Sequence, residues 1–505
     1  MNIELHVSRS RPWRWIQRLA VHLEQANHRI NIVFDPDDTP NPLPSGLVTL
    51  LMLETTIFGL HGKRQSDLLA PAEFPSPSIA GDGLPDLIFD FTGRKTFGSG
   101  SEPKCKTLVP LYNGQIGEES LFASIMNGHA PHVALVGLPS LRQCIGGYLA
   151  IDDLSVVSRA ISQVFARLQT LCMKAVALNA SLAGDPGSAY LPAAIHRLPS
   201  AAGFLGLQLV EKIVARLREL VSVPHHWRIA WRRTNGAGVW ETRSLEGEPF
   251  TVIRDDGRRY FADPFPFYHD GRVFVFFEEL PYATRKGIIS FCEILGDGSA
   301  SPAEPIIDTN YHLSYPFIFE HRGSIWMIPE TSENHTIELW RSVRFPGAWE
   351  RHAILVDNIT ATDATLWDNG DRLWLFATTR HEDASCHDTL HLWHADRLEG
   401  QWRSHESNPL LFDSRAARPA GAMRMVGGAL WRPAQDCSEV YGGALSLCTV
   451  GELHPWKPFR QTIVHRLVPE PQMRATGLHT LNEAGGIEFI DLCGTSRKSF
   501  SKHDS

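Results

Sequence analysis

Residues 260–279 read YFADPFPFYHDGRVFVFFEE, and variants of this pattern recur along the second half of the chain. Two short apolar runs flank a polar turn at His269, Asp270 and Gly271, a pattern that predicts a β-hairpin. The pattern recurs as HLSYPFIFEHRGSIWMIPE at 312–330, TDATLWDNGDRLWLFATT at 362–379, RPAGAMRMVGGALW at 418–431 and GLHTLNEAGGIEFI at 477–490. A period of roughly 50 residues is the length of a four-stranded propeller blade. Five copies therefore predict a five-bladed all-β propeller, whose blades bury their apolar faces by stacking.

The first part of the chain has a different pattern, in which strands alternate with helices. Strands are predicted at 2–7, 29–34, 86–91 and 132–137, with helices at 12–27 and 154–178. This alternation predicts an α/β domain with a mainly parallel sheet. The segment 179–202 is rich in Ala, Gly, Pro and Ser, which is typical of a linker, and a helix at 204–221 follows it. We therefore predict an α/β domain at 1–180, a linker and helix at 181–224, the propeller at 225–495 and a disordered tail at 496–505.

Composition excludes several classes of function. The net charge of −8 over 505 residues leaves no basic footprint for a nucleic acid. No run approaches 18 apolar residues, so no transmembrane segment is predicted. Eight scattered cysteines without a CxxC motif fit a reducing compartment, and we predict a cytoplasmic protein. The segment 114–117 is not a dinucleotide fingerprint, and the His, Cys and Asp residues within 381–394 fit no zinc spacing. Neither a cofactor nor a metal is predicted.

The α/β domain resembles the folate-dependent formyltransferases. The likeness rests on three segments that occur in that family's order: PDLIFDFTG at 85–93, LVPLYNG at 108–114 and SLFASIMNGHA at 120–130. The family's catalysis implies an Asn and a His beside a later Asp. The stretch 111–119 contains no His, and no matching Asp follows the strand at 132–137. The resemblance implies a formyltransferase-like, Rossmann-like fold that has lost formyl transfer; a generic Rossmann-like domain is the alternative.

The propeller resembles the N-terminal domain of glucosamine inositolphosphorylceramide transferases. The motifs behind the likeness are ADPF at 262–265, FFEE at 276–279, HLSYPF at 312–317, MIPE at 327–330, FPGAW at 345–349, RPAG at 418–421 and QDC at 435–437. We do not expect the glycosyltransferase domain of the plant enzymes after the fifth repeat. Their transferase activity is therefore not carried over, although a separate glycosyltransferase remains a candidate partner.

A wider likeness is to the five-bladed hydrolases of the arabinanase and fructosidase group. That resemblance implies carboxylates aimed from the inner strands into a central funnel, one as general base, one as general acid and a third that tunes the acid. Inverting hydrolysis needs carboxyl groups about 6.5–9.5 Å apart and retention about 5–5.5 Å. The repeat itself supplies the candidates for these roles.

Counting back eight positions from each turn gives Asp263, Tyr315 and Asp363; counting forward seven gives Glu278, Glu330 and Thr378. The first set should lie at the axial end of the inner strands. We therefore predict a catalytic group that contains Asp263, Asp363 and Glu330. Either Glu330 or Glu278 would be the proton donor if burial raises its pKa.

Substrate binding is predicted for a second group: Arg418, His312, Tyr315, Glu278 and His479. Arg418 would bind an anionic group on a sugar, and the two histidines would bind hydroxyls. Structural alternatives stay open for several candidates. Asp263 and Asp363 would equally serve as turn caps, Glu330 as a solvated edge residue and Arg418 as half of an inter-blade ion pair.

Three functional hypotheses follow from these residues. The first is an enzyme that acts on glycosidic bonds of a surface polysaccharide or glycolipid in the funnel. The second is a non-catalytic module that binds a glycan or nucleotide sugar beside a separate glycosyltransferase. The third is residual formyl or acyl transfer to an amino sugar by the N-terminal domain. Whether the protein is an enzyme stays open at this point.

Overall fold

The computed structural model of the chain describes residues 1–36, 43–60, 62–75, 84–94, 105–139, 142–178, 197–234 and 236–497. These residues form two compact units. Unit 1 is Met1–Ile213 with His381–Ser385, and unit 2 is Val214–Arg380 with Cys386–Ser505. Most of the predicted linker (179–196) and the end of the predicted tail (498–505) lie outside the described residues.

Unit 1 contains a mixed sheet with helices. Its elements are β1 (Asn2–Val7), α1 (Arg14–Gln25), β2 (Arg29–Phe34), α2 (Ser45–Ile57), β3 (Leu87–Phe91), β4 (Thr107–Tyr112), β5 (Gln115–Ile116), α3 (Glu119–Met126), β6 (His132–Gly137), β7 (Arg142–Tyr148) and α4 (Val157–Ala177). The strand order is β2-β1-β3-β4-β6-β7, with β5 on β4.

The α/β class predicted for this part of the chain is confirmed. Helix α1 forms because Trp15, Leu19 and Leu23 recur at four-residue spacing, and all three are buried. The first four strands of the sheet pair in parallel, as expected. Strands β6 and β7 pair antiparallel, so the sheet is mixed rather than mainly parallel. The likeness of this domain to formyltransferases stays a prediction.

The next helix, α5 (Ala201–Val221), leads into the strands of unit 2. These are β8 (Ser222–Arg233), the short helix α6 (Val239–Thr242), β9 (Thr251–Val252), β10 (Arg259–His269), β11 (Arg272–Pro281), β12 (Ile288–Ile294), β13 (Glu304–Ile307), β14 (Ser314–His321), β15 (Ser324–Glu330), β16 (Thr336–Arg344), β17 (Ala348–Asp357), β18 (Ala361–Asp368), β19 (Leu373–Thr379), β20 (Thr389–Ala395), β21 (Arg403–Ser404), β22 (Leu411–Phe412), β23 (Arg424–Val426), β24 (Ala429–Asp436), β25 (Ala444–Val450), β26 (Gln461–Leu467), β27 (Leu481–Ala484) and β28 (Ile487–Arg497).

These strands form five antiparallel sheets, and the predicted five-bladed propeller is confirmed. Blades 1 to 4 are β10 to β13, β14 to β17, β18 to β22 and β23 to β26. Blade 5 has the order β27-β28-β8-β9, so the last strands of the chain pair with the first strands of the unit. Ile487 faces Arg233 and Arg497 faces Ser222 along this closure. Residues 496 and 497, placed in the predicted tail, therefore belong to a paired strand.

The core of the propeller lies between its blades. Phe276 and Phe277 are consecutive on β11 and point to opposite faces of blade 1, as neighbours on a strand do. Phe276 contacts Phe345 and Trp349 next to and within blade 2, whereas Phe277 belongs to a separate apolar cluster that includes Phe489 of blade 5. Both rings are fully buried. Each blade is thus covered on both sides by its neighbours.

The inner strands of blades 1, 2 and 3 share a bulge at the position that the repeat singled out. Pairing is interrupted between Ala262 and Phe265 in blade 1, and at the matching places in the next two blades. Asp263, Tyr315 and Asp363 adopt φ values of 53°, 44° and 56° there. Left-handed backbone is uncommon for residues other than glycine, and least so for Asp and Asn. The bulge frees the N–H of each of these residues from the ladder.

Candidate functional site

The freed N–H groups bind carboxylates of the preceding blade. Asp263 donates its N–H to Oδ2 of Asp491 (3.1 Å), Tyr315 donates to Oδ2 of Asp263 (3.2 Å), and Asp363 donates to Oε2 of Glu330 (3.3 Å). The acceptors lie on β28, β10 and β15. The bulges therefore bring side chains of blades 5, 1, 2 and 3 together near the axis.

Asp263 is buried within this cluster. Its Oδ1 accepts a hydrogen bond from the Thr480 hydroxyl (3.0 Å) and lies 3.7 Å from Nδ1 of His479. Burial raises the pKa of Asp263 to about 6, while His479 lowers it and the nearby Asp363 and Asp491 raise it. At pH 7 this carboxyl is mostly ionised and close to its pKa, as a general base requires.

Asp363 and Glu330 surround the guanidinium of Arg418. Nε of Arg418 donates to Oδ2 of Asp363 (2.6 Å) and Nη2 donates to Oδ1 (3.2 Å). Nη2 also lies 3.7 Å from Oε2 of Glu330. Burial raises the pKa of Asp363 to about 7, against the lowering effect of Arg418. The pKa of Glu330 is also raised by burial. Arg418 thus makes an inter-blade ion pair, one of the two alternatives for this residue.

Glu278 lies on β11 and has different neighbours. Its Oε1 accepts a hydrogen bond from the Tyr260 hydroxyl (3.4 Å) and lies 3.3 Å from Nε2 of His312. Because Nδ1 of His312 accepts the N–H of Gly287 (3.0 Å), Nε2 carries the hydrogen of the neutral ring and places it beside the Glu278 carboxyl. Burial, Asp263 and Glu330 together raise the pKa of Glu278 well above its ordinary value. The raised pKa makes Glu278 a candidate proton donor.

His479 and Asp491 close the cluster on the side of blade 5. Nδ1 of His479 lies 2.5 Å from Oδ2 of Asp491, and the ring stacks on Trp227 with centroids 3.8 Å apart. The ligand atoms of Asp263, His479 and Asp491 all lie within 4.8 Å of one another, so these three could hold a metal ion. However, Oδ1 of Asp491 accepts the N–H groups of His479 and Thr480. The trio is held by protein donors, which fits an ion-pair network better than a metal centre.

All eight predicted site residues lie in or beside this cluster. Asp263, Asp363, Glu330, Glu278, Arg418, His312 and His479 contribute side chains to it, as described above. Tyr315 contributes its backbone N–H, and its hydroxyl bonds Thr365 (2.8 Å) and accepts the N–H of Gly421 (2.6 Å). Tyr315 therefore braces the inner strands, and its role in substrate binding stays a prediction.

Several neighbours of the site were missed by the sequence reasoning. Gln435 donates to Oδ2 of Asp363 (2.6 Å), and Nη1 of Arg418 donates to Nδ1 of His387 (2.9 Å). Tyr441 is 45% exposed, and its ring lies 5.1 Å from the Arg418 guanidinium carbon and 5.4 Å from the His479 ring. It places an aromatic face beside the buried charges.

The propeller matches a known family of domains. Residues 253–477 match the family model described as glucosamine inositolphosphorylceramide transferase 1, N-terminal. The likeness predicted from the sequence motifs is confirmed.

Two plant relatives show the same likeness. Glucosamine inositolphosphorylceramide transferase 1 of Oryza sativa subsp. japonica is 32% identical over 229 residues, which cover 44% of this chain and 29% of that protein. The protein of the same name from Arabidopsis thaliana is 29% identical over 225 residues, covering 43% of this chain and 29% of that protein. The match thus spans under a third of the length of these relatives.

Solved structures of glycoside hydrolases are more distant. A family 117 glycoside hydrolase from Zobellia galactanivorans is 11% identical with a TM-score of 0.35, covering 55% of this chain and 93% of that one. The α-L-arabinanase of Cellvibrio cellulosa is 14% identical with a TM-score of 0.32, covering 47% and 87%. A likeness this distant carries no argument about function. Within the described residues, no helix has both the length and the apolar character to cross a membrane.

Proposed function

We propose that the axial cluster of the propeller binds a carbohydrate and acts on a glycosidic bond, in a surface polysaccharide or a glycolipid. The observation that carries the proposal is a pair of buried carboxyls with divided pKa values. Burial raises the pKa of Asp263 to about 6 and that of Glu278 well above its ordinary value, and the charge of Asp263 adds to the shift of Glu278. Such a pair supplies a base and an acid at the same pH.

The roles follow from the contacts of each group. Asp263 would take a proton from the water that bonds the anomeric carbon, and Glu278 would protonate the leaving oxygen as the glycosidic bond breaks. His312 would hold Glu278 through its Nε2–H. The predicted catalytic residues Asp363 and Glu330 would act with Arg418 as a charged support that sets the electrostatic field. The glycolipid named for the plant relatives belongs to the same chemical class as this substrate.

A second candidate function is binding without catalysis, as a partner of a separate glycosyltransferase. One observation favours it: both oxygens of Asp263 and of Asp363 already accept hydrogen bonds from the protein. Carboxylates engaged in this way hold a fold together and need not react. The half-exposed ring of Tyr441 would then offer a stacking surface for a sugar.

A turnover assay separates the two candidates. The full chain would be incubated with p-nitrophenyl glycosides of xylose, arabinose, glucosamine and glucuronic acid, and the released nitrophenol measured. We expect hydrolysis of at least one, reduced about 10²–10⁴-fold in Glu278→Gln and in Asp263→Asn. The matched control is Glu320→Gln, an exposed glutamate of blade 2. If calorimetry shows binding of the same glycosides but no nitrophenol is released, the proposal of an enzyme is wrong and a binding module is favoured.

A further inference from the structure

A groove lies between blades 3 and 4, at the end of the inner strands opposite the carboxyl cluster. Asp363 is near the start of β18 and Asp368 is its last residue, so the two are about 17 Å apart along the strand. The groove has a volume of about 780 Å³. It is lined by the turn at 367–374, the hairpin at 425–430 and the loop at 450–456.

An exposed tryptophan forms one wall of the groove. Trp456 is 61% exposed, and its ring stands edge-to-face on His454, with centroids 4.2 Å apart at 87°. The carbonyl oxygen of His454 accepts a hydrogen bond from Nε2 of His405 (2.8 Å), which fixes the loop to blade 3. A large indole that is mostly exposed beside a groove is a stacking surface rather than part of the core.

The opposite wall carries carboxylates on a rigid turn. The side-chain oxygen of Asn369 accepts the N–H groups of Asp371 (3.2 Å) and Arg372 (2.8 Å), which sets the shape of the turn. Asp368 and Asp371 are exposed on this turn, and Glu452 is exposed on the loop at 450–456. The lining of the groove includes one arginine, Arg372. Arg372 pairs with Asp396 outside the groove (3.3 Å), and Lys457 pairs with Glu452 (3.6 Å). The lining is therefore acidic.

Two further lining residues have polar atoms that lack a partner. Nε1 of Trp374 and Nδ1 of His454 are buried, and neither makes a hydrogen bond within the described part of the chain. Buried polar atoms are satisfied in most proteins, and an exception next to a groove is typical of a place where a ligand or water completes the network. This observation is independent of the charge and of the exposed indole.

We propose that this groove is a second carbohydrate site, selective for a sugar that bears a free amine. The apolar face of a pyranose would stack on Trp456, its ammonium group would lie beside Asp371, and its hydroxyls would bond polar groups of the turn at 367–374. A neutral N-acetylated sugar loses the charge contact, and a uronic acid meets like charge. The site is separate from the axial cluster and does not depend on catalysis there.

The test is calorimetric titration of the full chain with the tetrasaccharide of β-1,4-linked glucosamine at pH 6. We expect saturable binding that weakens with added salt, since part of it is electrostatic. Trp456→Ala should weaken it about tenfold or more, while Trp456→Phe should keep most of it. Asp371→Asn should weaken it about threefold. Tyr268→Ala, which removes an exposed tyrosine of blade 1, should leave it unchanged.

Three outcomes would overturn the proposal. One is equal affinity of Trp456→Ala and the wild type. Another is equal affinity for the N-acetylated tetrasaccharide or for tetragalacturonate. The third is that tetralysine binds as tightly as the glucosamine oligomer and that Trp456→Ala weakens neither ligand. This result would assign the groove to basic peptides. Glu278→Gln should bind the oligomer normally, so a failure of turnover in the axial cluster is distinguished from a failure here.

Discussion

Asp363 and Arg418 form a buried two-point ion pair that joins the inner strand of blade 3 to the segment that begins blade 4. Their two contacts are 2.6 Å and 3.2 Å, and both side chains are more than nine-tenths buried. A guanidinium and a carboxylate meet edge to edge in this geometry, which lysine cannot reproduce. The pair therefore holds together two blades whose inner strands would otherwise present bare charges to the axis.

Removing one partner of this pair should destabilise the propeller. Arg418→Met leaves Asp363 buried and unpaired, and we expect a loss of about 3–5 kcal/mol in the free energy of unfolding. Urea denaturation followed by tryptophan fluorescence measures it. Lys457→Ala, which breaks an exposed pair, should cause no measurable change. The double variant Arg418→Met with Asp363→Asn should recover part of the loss, because asparagine leaves no buried charge and keeps the left-handed backbone at φ 56°. A double variant less stable than the single one would contradict a role of the buried charge.

A side chain at position 287 should disturb the site because Glu278 and His312 approach the backbone of Gly287 closely. A Cβ at this position would lie 2.4 Å from the Leu313 carbonyl oxygen, 2.7 Å from Cε1 of His312 and 2.9 Å from Oε1 of Glu278. We expect Gly287→Ala to cost about 1–3 kcal/mol of stability and to displace the carboxyl.

Gly296→Ala is the matched control for this substitution. A Cβ there meets nothing within 4 Å, so stability and turnover should match the wild type. Stability would be measured by urea denaturation, and turnover with the best glycoside of the panel. Normal turnover in Gly287→Ala would show that the position of Glu278 is irrelevant to the reaction.

Much of this fold could be predicted from the sequence because the repeated hairpin is a local feature. Each turn fixes the register of the two strands around it, so a fixed count from the turn reaches matching positions in blades 1, 2 and 3. The same forward count of seven from Gly428 gives Gln435, which does contact Asp363. That residue could have been found. The matching count from Gly486 gives Cys493 and misses Asp491, which lies two positions closer to the turn.

Other features depend on contacts that no local pattern encodes. Strand β8 comes first in the sequence of the propeller, yet it pairs with β28, about 260 residues later in the chain. The repeat does not predict this pairing. The sequence leaves two roles open for Arg418, binding of an anionic ligand group or an inter-blade ion pair. Its partner Asp363 can be identified only from the packing of two blades. The ring of Tyr441 reaches the site on a loop that has no counterpart in the repeat.

Raised pKa values should make stability fall as pH rises. Asp263 has a pKa of about 6 and Asp363 one of about 7 in the folded chain, against about 3.8 unfolded. Between pH 4 and 7 the folded chain binds more protons, so the free energy of unfolding decreases across that window. Asp263→Asn should remove up to about 3 kcal/mol of this decrease. Asparagine keeps the left-handed backbone at this position.

Urea denaturation at pH 4.5 and pH 7.5 measures the effect for wild type and variant. His479 also contributes to the slope of the wild type: Asp491 and Asp263 raise its pKa against the effect of burial, so its stabilising charge is lost as pH rises through the folded pKa. The difference between wild type and variant isolates the contribution of Asp263. Glu320→Gln should keep the wild-type slope. An Asp263→Asn slope equal to the wild type would mean that Asp263 has an ordinary pKa.

The divided pKa values also predict the pH dependence of the reaction. A base must be ionised and an acid protonated, so kcat/KM should rise with pH through about 6 as Asp263 ionises. It should fall again at higher pH, where Glu278 loses its proton, because burial and the acidic neighbours Asp263 and Glu330 raise the pKa of this carboxyl. The profile is measured with the best p-nitrophenyl glycoside. Gly287→Ala, which disturbs the surroundings of Glu278, should move the alkaline limb and leave the acidic limb in place. A wild-type profile without an acidic limb near pH 6 would show that Asp263 is not the base, whichever sugar the axial cluster accepts.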